Sequence, residues 1–321
     1  MKIVFLETDT LGDDVDLSIF DVFGEVVKYN KSNPKEQGVS ERLIDADVVI
    51  VNKYPMKEAT LSKAKNLKLI CITGTGTNIV DFEYTNKRGI EVRNVKGYST
   101  NSVVQHTFAL LFYVFEKLSY YDHFVKSGEY ARHDIFSQFN EKFHELAGKT
   151  WGIIGLGDIG KGVANVAKAF GANVIYYSTS GQNSNPEYSQ VNFDTLLKES
   201  DIISIHAPLN HVTRNLLGKE EFIKMKKTAI VLNLGRGPII NEDALVWALN
   251  EGEIGGAGLD VISFEPMLPT NPLLTIQDSK KLIITPHIAW ATVEARRRCV
   301  DEVHKNLKAY LEGEERNVVR S

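Results

Sequence analysis

Residues 150–161 read Thr150-Trp-Gly-Ile-Ile-Gly155-Leu-Gly157-Asp-Ile-Gly160-Lys161. An apolar run of β-strand character ends at Gly155, two further glycines follow at fixed spacing, and helix-forming sequence continues over Lys161–Phe170. GxGxxG between a strand and a helix is the first turn of a dinucleotide-binding βαβ unit. Gly155 permits the tight turn, Gly157 lets a pyrophosphate approach the backbone, and Gly160 lets helix and strand pack closely. Unpaired N–H groups and the positive dipole end at the helix start suit phosphate. A glycine-rich turn with no ligand would carry the same glycines. The strand before, the helix after and a second strand at Val174–Tyr177 decide for dinucleotide binding.

Outward from this unit, short apolar runs alternate with helix-like stretches along the whole chain. The strand candidates are Lys2–Leu6, Val48–Val51, Leu69–Thr73, Thr150–Ile154, Val174–Tyr177, Ile202–His206, Ala229–Asn233, Ala257–Val261 and Leu282–Thr285. Continuous Val/Ile/Leu runs of this kind are buried on both faces of a parallel sheet. The alternation predicts an α/β fold of two Rossmann-like or flavodoxin-like doubly wound parallel-sheet domains. Gly97–Asn101 is rich in turn residues, Ser102-x-x-Gln105 reads as a capping box, and an apolar helix runs on to Leu118. That helix is apolar on most of its circumference, which implies burial on all sides; a subunit interface is the favoured reading, with burial inside one subunit as the alternative. Val293–Leu311 is again helix-like, with Glu294, Arg296, Arg297 and Arg298 on its polar side. The expected domains are 1–100 with 291–321, for substrate, and an inserted 101–290 for the dinucleotide.

Composition narrows the function. The 321 residues carry a formal net charge of −4, and no block of Lys or Arg stands out, so nucleic acid and anionic membranes are not expected partners. Phe108–Phe115 is too short for a bilayer, which needs roughly 20 apolar residues. Met1–Leu6 reads as a first strand, not a signal peptide. The two cysteines, Cys71 and Cys299, fit no CxxC pattern and read as inert thiols in a reducing, cytoplasmic compartment. No HxH, HExxH or Cys/His set is present, so no metal is expected.

Ligands of open α/β sheets bind at the carboxyl ends of strands. Arg236, Asp260, Glu265 and His287 all follow strands there. Reduction of a 2-oxo acid needs a cation for the carboxylate, which Arg236 supplies. It needs a proton donor for the developing alkoxide, which His287 supplies. A carboxylate that keeps the imidazole protonated is also required, and Glu265 fits. The plain alternatives are a turn cation, a solvated loop carboxylate and a structural histidine. His206, in His-Ala-Pro, is the rival proton donor, but no Glu or Arg motif accompanies it. The other histidines, His106 among them, read as structural or exposed.

Taken together, Gly155-Leu-Gly-Asp-Ile-Gly160, Asn233-Leu-Gly-Arg-Gly-Pro238, Gly258-Leu-Asp-Val261 with Glu265-Pro266, and Thr285-Pro-His-Ile288 resemble the D-isomer-specific 2-hydroxyacid dehydrogenase family over almost the full length. Ser102-Val-Val-Gln-His-Thr-Phe-Ala-Leu110 and Pro286-His-Ile-Ala-Trp290 are similar to its glycerate dehydrogenase/hydroxypyruvate reductase branch. The resemblance implies that Arg236 binds substrate, Glu265 supports His287, and His287 is the acid/base. It implies substrate contacts from Gly74, Thr75 and Gly76, with Lys53 and Asn78 near them. It also implies cofactor contacts from Val104, Asp158, Ile159, Ser178, Ala207, Pro208, Thr213, Leu234, Gly235 and Asp260, a substrate domain built from the two chain ends, and a homodimer joined around Ser102–Leu118. The three catalytic groups are expected to meet beside the nicotinamide, in a cleft between two lobes. Ser178 stands where many relatives carry Asp, so the reading favours NAD and leaves NADP open. Hydroxypyruvate or glyoxylate is the expected substrate, with D-lactate-type chemistry as the alternative. A dinucleotide-sensing, corepressor-like scaffold is the reading from another class.

Overall fold

The computed structural model describes residues 1–33, 38–182 and 184–320. The chain divides into two compact units, Met1–Ser99 with Ala291–Ser321, and Thr100–Trp290.

In the first unit, β1 (Lys2–Phe5), β2 (Glu25–Lys28), β3 (Val48–Val51), β4 (Leu69–Ile72) and β5 (Glu91–Arg93) form a parallel sheet in the order β2-β1-β3-β4-β5. Strands β3 and β4 are buried at every position. That is why they read as unbroken apolar runs; β2 and β5, half polar, did not stand out. Helices α1 (Glu58–Leu61) and α2 (Phe82–Lys87) link the strands. The chain returns to this unit at its end. Buried Arg93 donates from Nη1 to Asn306 O and from Nη2 to Glu314 O, both at 2.8 Å.

The second unit opens with α3 (Thr100–Phe115) and α4 (Leu118–Lys126). Strands β6 (Thr150–Ile154), β7 (Asn173–Tyr177), β8 (Ser189–Gln190), β9 (Ile202–Ile205), β10 (Ile230–Asn233), β11 (Gly256–Leu259) and β12 (Leu282–Ile284) make an all-parallel sheet in the order β12-β11-β10-β9-β6-β7-β8. The connecting helices are α5 (Asp158–Ala169), α6 (Phe193–Glu199), α7 (Lys219–Lys224) and α8 (Glu242–Asn250). In the first unit the chain closes with α9 (Val293–Leu311). The strand order reverses between β6 and β9, which makes the crevice there the ligand-binding position of a doubly wound sheet.

One expectation is corrected. The apolar helix starts at Thr100, so Ser102 lies inside α3 and caps nothing; its Oγ donates to Ala289 O at 2.5 Å. One side of α3 packs within its own unit, while Val104, Phe112, Tyr113 and Phe115 are part-buried there and Ala109 is exposed. Val103, Phe108, Leu110, Leu111 and Val114 pack into one core cluster with Trp151, Ile153 and Leu232. Glycines in β11 allow this approach: a Cβ at Gly256 would lie 2.5 Å from Val114 Cγ1, and one at Gly258 3.0 Å from Leu110 Cβ.

Candidate active site

Strand register assembles the second unit's candidate residues. Tyr177 pairs with Ile154, Ile154 with Ile205, Ile205 with Asn233, Asn233 with Leu259, and Leu259 with Ile284. The next residue of each strand therefore falls in one row along the carboxyl edge: Ser178, Gly155, His206, Leu234, Asp260 and Thr285. Parallel pairing fixes this row, because one residue of slip would turn every apolar side chain to the wrong face.

At the middle of the row, Gly155 has φ +93°, and a Cβ there would lie 2.9 Å from Ala207 Cα. One at Gly160 would lie 2.3 Å from Gly155 O, so α5 sits directly on the turn. By contrast, a Cβ at Gly157 would meet nothing within 4 Å. Among the described residues, Leu156 and Gly157 N–H have no acceptor, and the helix start at Asp158–Gly160 adds the unpaired donors of a first turn. This is a cradle shaped for a diphosphate. Ser178, at the end of β7, has a buried Oγ without a hydrogen-bond partner among the described residues, where the adenosine ribose of a dinucleotide would lie. The residues present thus fit the cofactor.

Other residues expected at the cofactor hold the walls. Val104 packs α3 against α5, its Cγ2 standing 2.6 Å from where a Cβ of Gly162 would be. Buried Thr213 donates from Oγ1 to Pro208 O at 2.7 Å and accepts from Asn210 N–H at 2.8 Å, closing the loop that carries Ala207 and Pro208. Gly235 N–H donates to Asn233 Oδ1, and Asn233 Nδ2 donates to Arg236 O at 2.9 Å, which shapes the loop after β10. Asp260 is buried; Oδ1 accepts from Thr285 Oγ1 at 2.6 Å and Ile288 N–H at 2.9 Å, and Oδ2 from Ala289 N–H at 2.9 Å.

Two of the three catalytic candidates touch. His287 Nδ1 stands 2.7 Å from Glu265 Oε2, both side chains part-exposed. Glu265 Oε1 accepts from Ile262 N–H at 3.2 Å, so the carboxylate is oriented from both oxygens. His287 itself has φ 56°, a left-handed conformation that costs a non-glycine residue roughly 1–2 kcal/mol. It is held there by its N–H donating to Asp260 O and Thr285 O, both at 2.9 Å. Arg236 is half-buried and donates from Nη1 to Gly235 O at 2.8 Å; among the described residues no carboxylate pairs with its charge. Its loop is seated on the Glu265 loop, because a Cβ at Gly237 would lie 1.9 Å from Ile262 C. Sequence reasoning missed Glu242, whose Oε1 takes Ser263 N–H at 2.5 Å and Oε2 takes Asn271 Nδ2 at 3.0 Å, tying down the same loop.

His206, the rival proton donor, has both ring nitrogens buried and, among the described residues, unpartnered. Burial pulls its pKa down to about 3, so it is neutral in the working range and is not an acid there.

In the first unit, Gly74, Thr75 and Gly76 follow β4. Among the described residues their N–H groups have no acceptor, while Thr75 Oγ1 donates to Val95 O at 2.7 Å. Such consecutive free donors form an anion nest. The loop after β3, carrying Lys53, is fixed by a residue the sequence reading passed over. Glu7 Oε2 accepts from the N–H groups of Asn52, Lys53 and Tyr54 at 2.9, 2.9 and 3.0 Å. Asn78 is exposed beyond the nest.

The chain is similar to known proteins over its whole length. A family model described as D-isomer specific 2-hydroxyacid dehydrogenase, NAD binding domain, matches residues 108–289. The chain is 36% identical over 320 residues to a glycerate dehydrogenase of Methylorubrum extorquens, covering 100% of this chain and 99% of the relative. It is 38% identical over 325 residues to a hydroxypyruvate reductase of Blautia hydrogenotrophica, covering 99% of each. Among solved structures, a D-lactate dehydrogenase of Aquifex aeolicus complexed with NAD and lactic acid superposes with a TM-score of 0.84 at 29% identity, covering 97% of this chain and 96% of that one.

Proposed function

The chain belongs to the D-isomer-specific 2-hydroxyacid dehydrogenase family and works with a nicotinamide dinucleotide on 2-oxo and D-2-hydroxy acids, and from that premise we propose that it reduces hydroxypyruvate or glyoxylate. The observation that carries the reading is the His287–Glu265 pair at 2.7 Å on loops seated against the Arg236 loop. The names of the two relatives favour the C2–C3 substrates, as does Ala289-Trp290 after the histidine.

The bound nicotinamide supplies the hydride for reduction and accepts it for oxidation. Everything else is asked of the chain. Arg236 pairs with the substrate carboxylate and polarises the adjacent carbonyl. Nδ1–H of His287 is engaged by Glu265, which leaves Nε2 as the nitrogen that gives a proton to the carbonyl oxygen as hydride reaches C2. The products balance as the 2-hydroxy acid and neutral imidazole. Glu265 fixes the orientation of the ring for that transfer. We assign the nest of Gly74, Thr75 and Gly76, with Lys53 and Asn78, to the substrate, and Gly155–Gly160, Ser178, Leu234 and Gly235 to the dinucleotide. NAD is the preferred form, since no Lys or Arg between Tyr177 and Gln190 would attract a 2′-phosphate. NADP is a second, weaker cofactor, because Ser178 does not repel it.

The working form is a homodimer in the cytoplasm. Large apolar side chains are exposed in the segment after α4: Phe136 is 86% and Phe139 76% exposed, with Ile135 and Phe143 near them in sequence. Cys71 and Cys299 are buried, and burial pushes both thiols up to about 12, so they are inert reduced thiols. Among the described residues no helix is long and apolar enough to cross a membrane.

The test is NADH and NADPH oxidation with hydroxypyruvate, glyoxylate and pyruvate, in the native protein and in His287→Ala. Turnover should rank hydroxypyruvate or glyoxylate first by kcat/KM and fall on the order of 10²–10⁴ in the variant. Arg236→Ala should raise KM and lower kcat while NADH affinity holds. Tight NADH binding with no turnover on any 2-oxo acid would instead identify a dinucleotide-sensing scaffold.

A further inference from the structure

Helix α3 is apolar along most of its length, yet two of its polar side chains, one turn apart, reach the segment that carries His287. Ser102 Oγ donates to Ala289 O at 2.5 Å. His106 Nε2 lies 2.9 Å from Thr285 Oγ1. Residues at i and i+4 share a helix face, so α3 presents one polar edge to the 285–289 segment.

The direction of the hydrogen bonds is determined by chemistry. Asp260 as a carboxylate only accepts, so the Thr285 hydroxyl proton points to Oδ1, at 2.6 Å. Thr285 Oγ1 must then accept from His106, whose proton therefore sits on Nε2. Burial pulls the pKa of the ring below the ordinary imidazole range, against the opposing Asp260 carboxylate 3.6 Å away. Asp260 in turn receives the N–H groups of Ile288 and Ala289. The result is a directed chain from His106 to Thr285 to Asp260, ending on the backbone immediately after His287.

We propose that His106 is a positioning residue for the proton donor, acting through Thr285 and Asp260 to keep the left-handed His287 turn aligned on Glu265. This rests on the reading of His287 as the acid/base. The physical reason is that a non-glycine residue at φ 56° has no local preference for that conformation, so packing and hydrogen bonds must impose it. Relaxation of the turn would lengthen the His287–Glu265 contact. The imidazolium would then stand without its carboxylate partner, a loss that the pH profile registers.

The test uses His106→Phe, Thr285→Val, Thr285→Ser and the first two combined. The pH profile of kcat/KM for hydroxypyruvate reduction is compared with the NMR titration of the His287 ring in protein free of cofactor. His106→Phe and Thr285→Val should each lower kcat about tenfold and move the basic limb, and the His287 titration with it, down by about half a pH unit or more. Thr285→Ser, which keeps the hydroxyl, should stay within about twofold of the native enzyme. The combined variant should lose no more than the worse single one, because both changes cut one chain. Multiplying losses, or lower kcat with an unmoved limb and unmoved His287 titration, would reduce His106 to core packing and overturn the proposal. If turnover survives in His287→Ala, the acid/base reading fails on its own account. The His287 titration then still decides whether His106 positions the ring.

Discussion

Ser178 brings to the edge of the sheet a buried hydroxyl that has no hydrogen-bond partner among the described residues. An unpaired buried hydroxyl costs on the order of 1–3 kcal/mol, so a ligand that pairs it recovers that cost. Replacing it with a carboxylate should add repulsion toward a 2′-phosphate. Ser178→Asp is expected to raise the NAD over NADP ratio of kcat/KM at least about tenfold; an unchanged ratio would remove Ser178 from the ribose. His206 illustrates a different residue-scale effect. Its folded pKa of about 3 lies below the unfolded imidazole value near 6.5, so the unfolded chain binds the extra proton. The stability this confers is complete above about pH 6.5 and is lost as pH falls toward 3, by up to about 1.4 kcal/mol per unit. Urea unfolding of the native protein and His206→Gln at about pH 7 and about pH 5 should show the variant losing less, by up to about 2 kcal/mol. Equal losses would mean that His206 is not buried neutral. From sequence, His206 and His287 were both strand-end histidines. Their difference is one of surroundings, the first enclosed by neighbours without a hydrogen-bond partner and the second against Glu265.

At the scale of elements, the two loops that follow β6 and β10 use glycine for opposite ends. At Gly157 a methyl group would enter open space, and at Gly237 it would strike the backbone of Ile262. Gly157→Ala should therefore melt within a few degrees of the native protein, yet bind NADH at least about tenfold more weakly in a fluorescence titration. Unchanged affinity would show that the dinucleotide does not approach this turn. Gly237→Ala should lower stability by about 1–3 kcal/mol and lower kcat together, because the Arg236 and Glu265 loops can no longer seat against each other. A thermal melt and a kcat both unaltered would disprove that coupling. The β6–α5 turn was legible because its glycine spacing is local. The start of α3 was not: Ser102-x-x-Gln105 satisfies a capping pattern, but the helix begins two residues earlier and Ser102 faces Ala289 instead. Short β2, β5 and β8, with polar or mixed sequence, also escaped a reading based on apolar runs.

For the molecule as a whole, the proposed homodimer makes a prediction at the exposed aromatic side chains after α4. Phe136→Ser with Phe139→Ser should shift sedimentation velocity from dimer to monomer without changing the melting of either unit; a native monomer, or a variant dimer of equal affinity, would refute the assignment. The sequence by itself determined the two doubly wound α/β units, the dinucleotide turn and the identity of the chemical groups after each strand. Those features are written in short-range periodicity and spacing, which depend only on neighbours along the chain. Tertiary structure alone decided which groups meet. Glu265 finds His287 across 22 positions, and His106 finds Thr285 across 179. Such pairings follow from strand register and from the way α3 packs on the sheet. Both are set by burying the apolar faces together, so no local pattern records them.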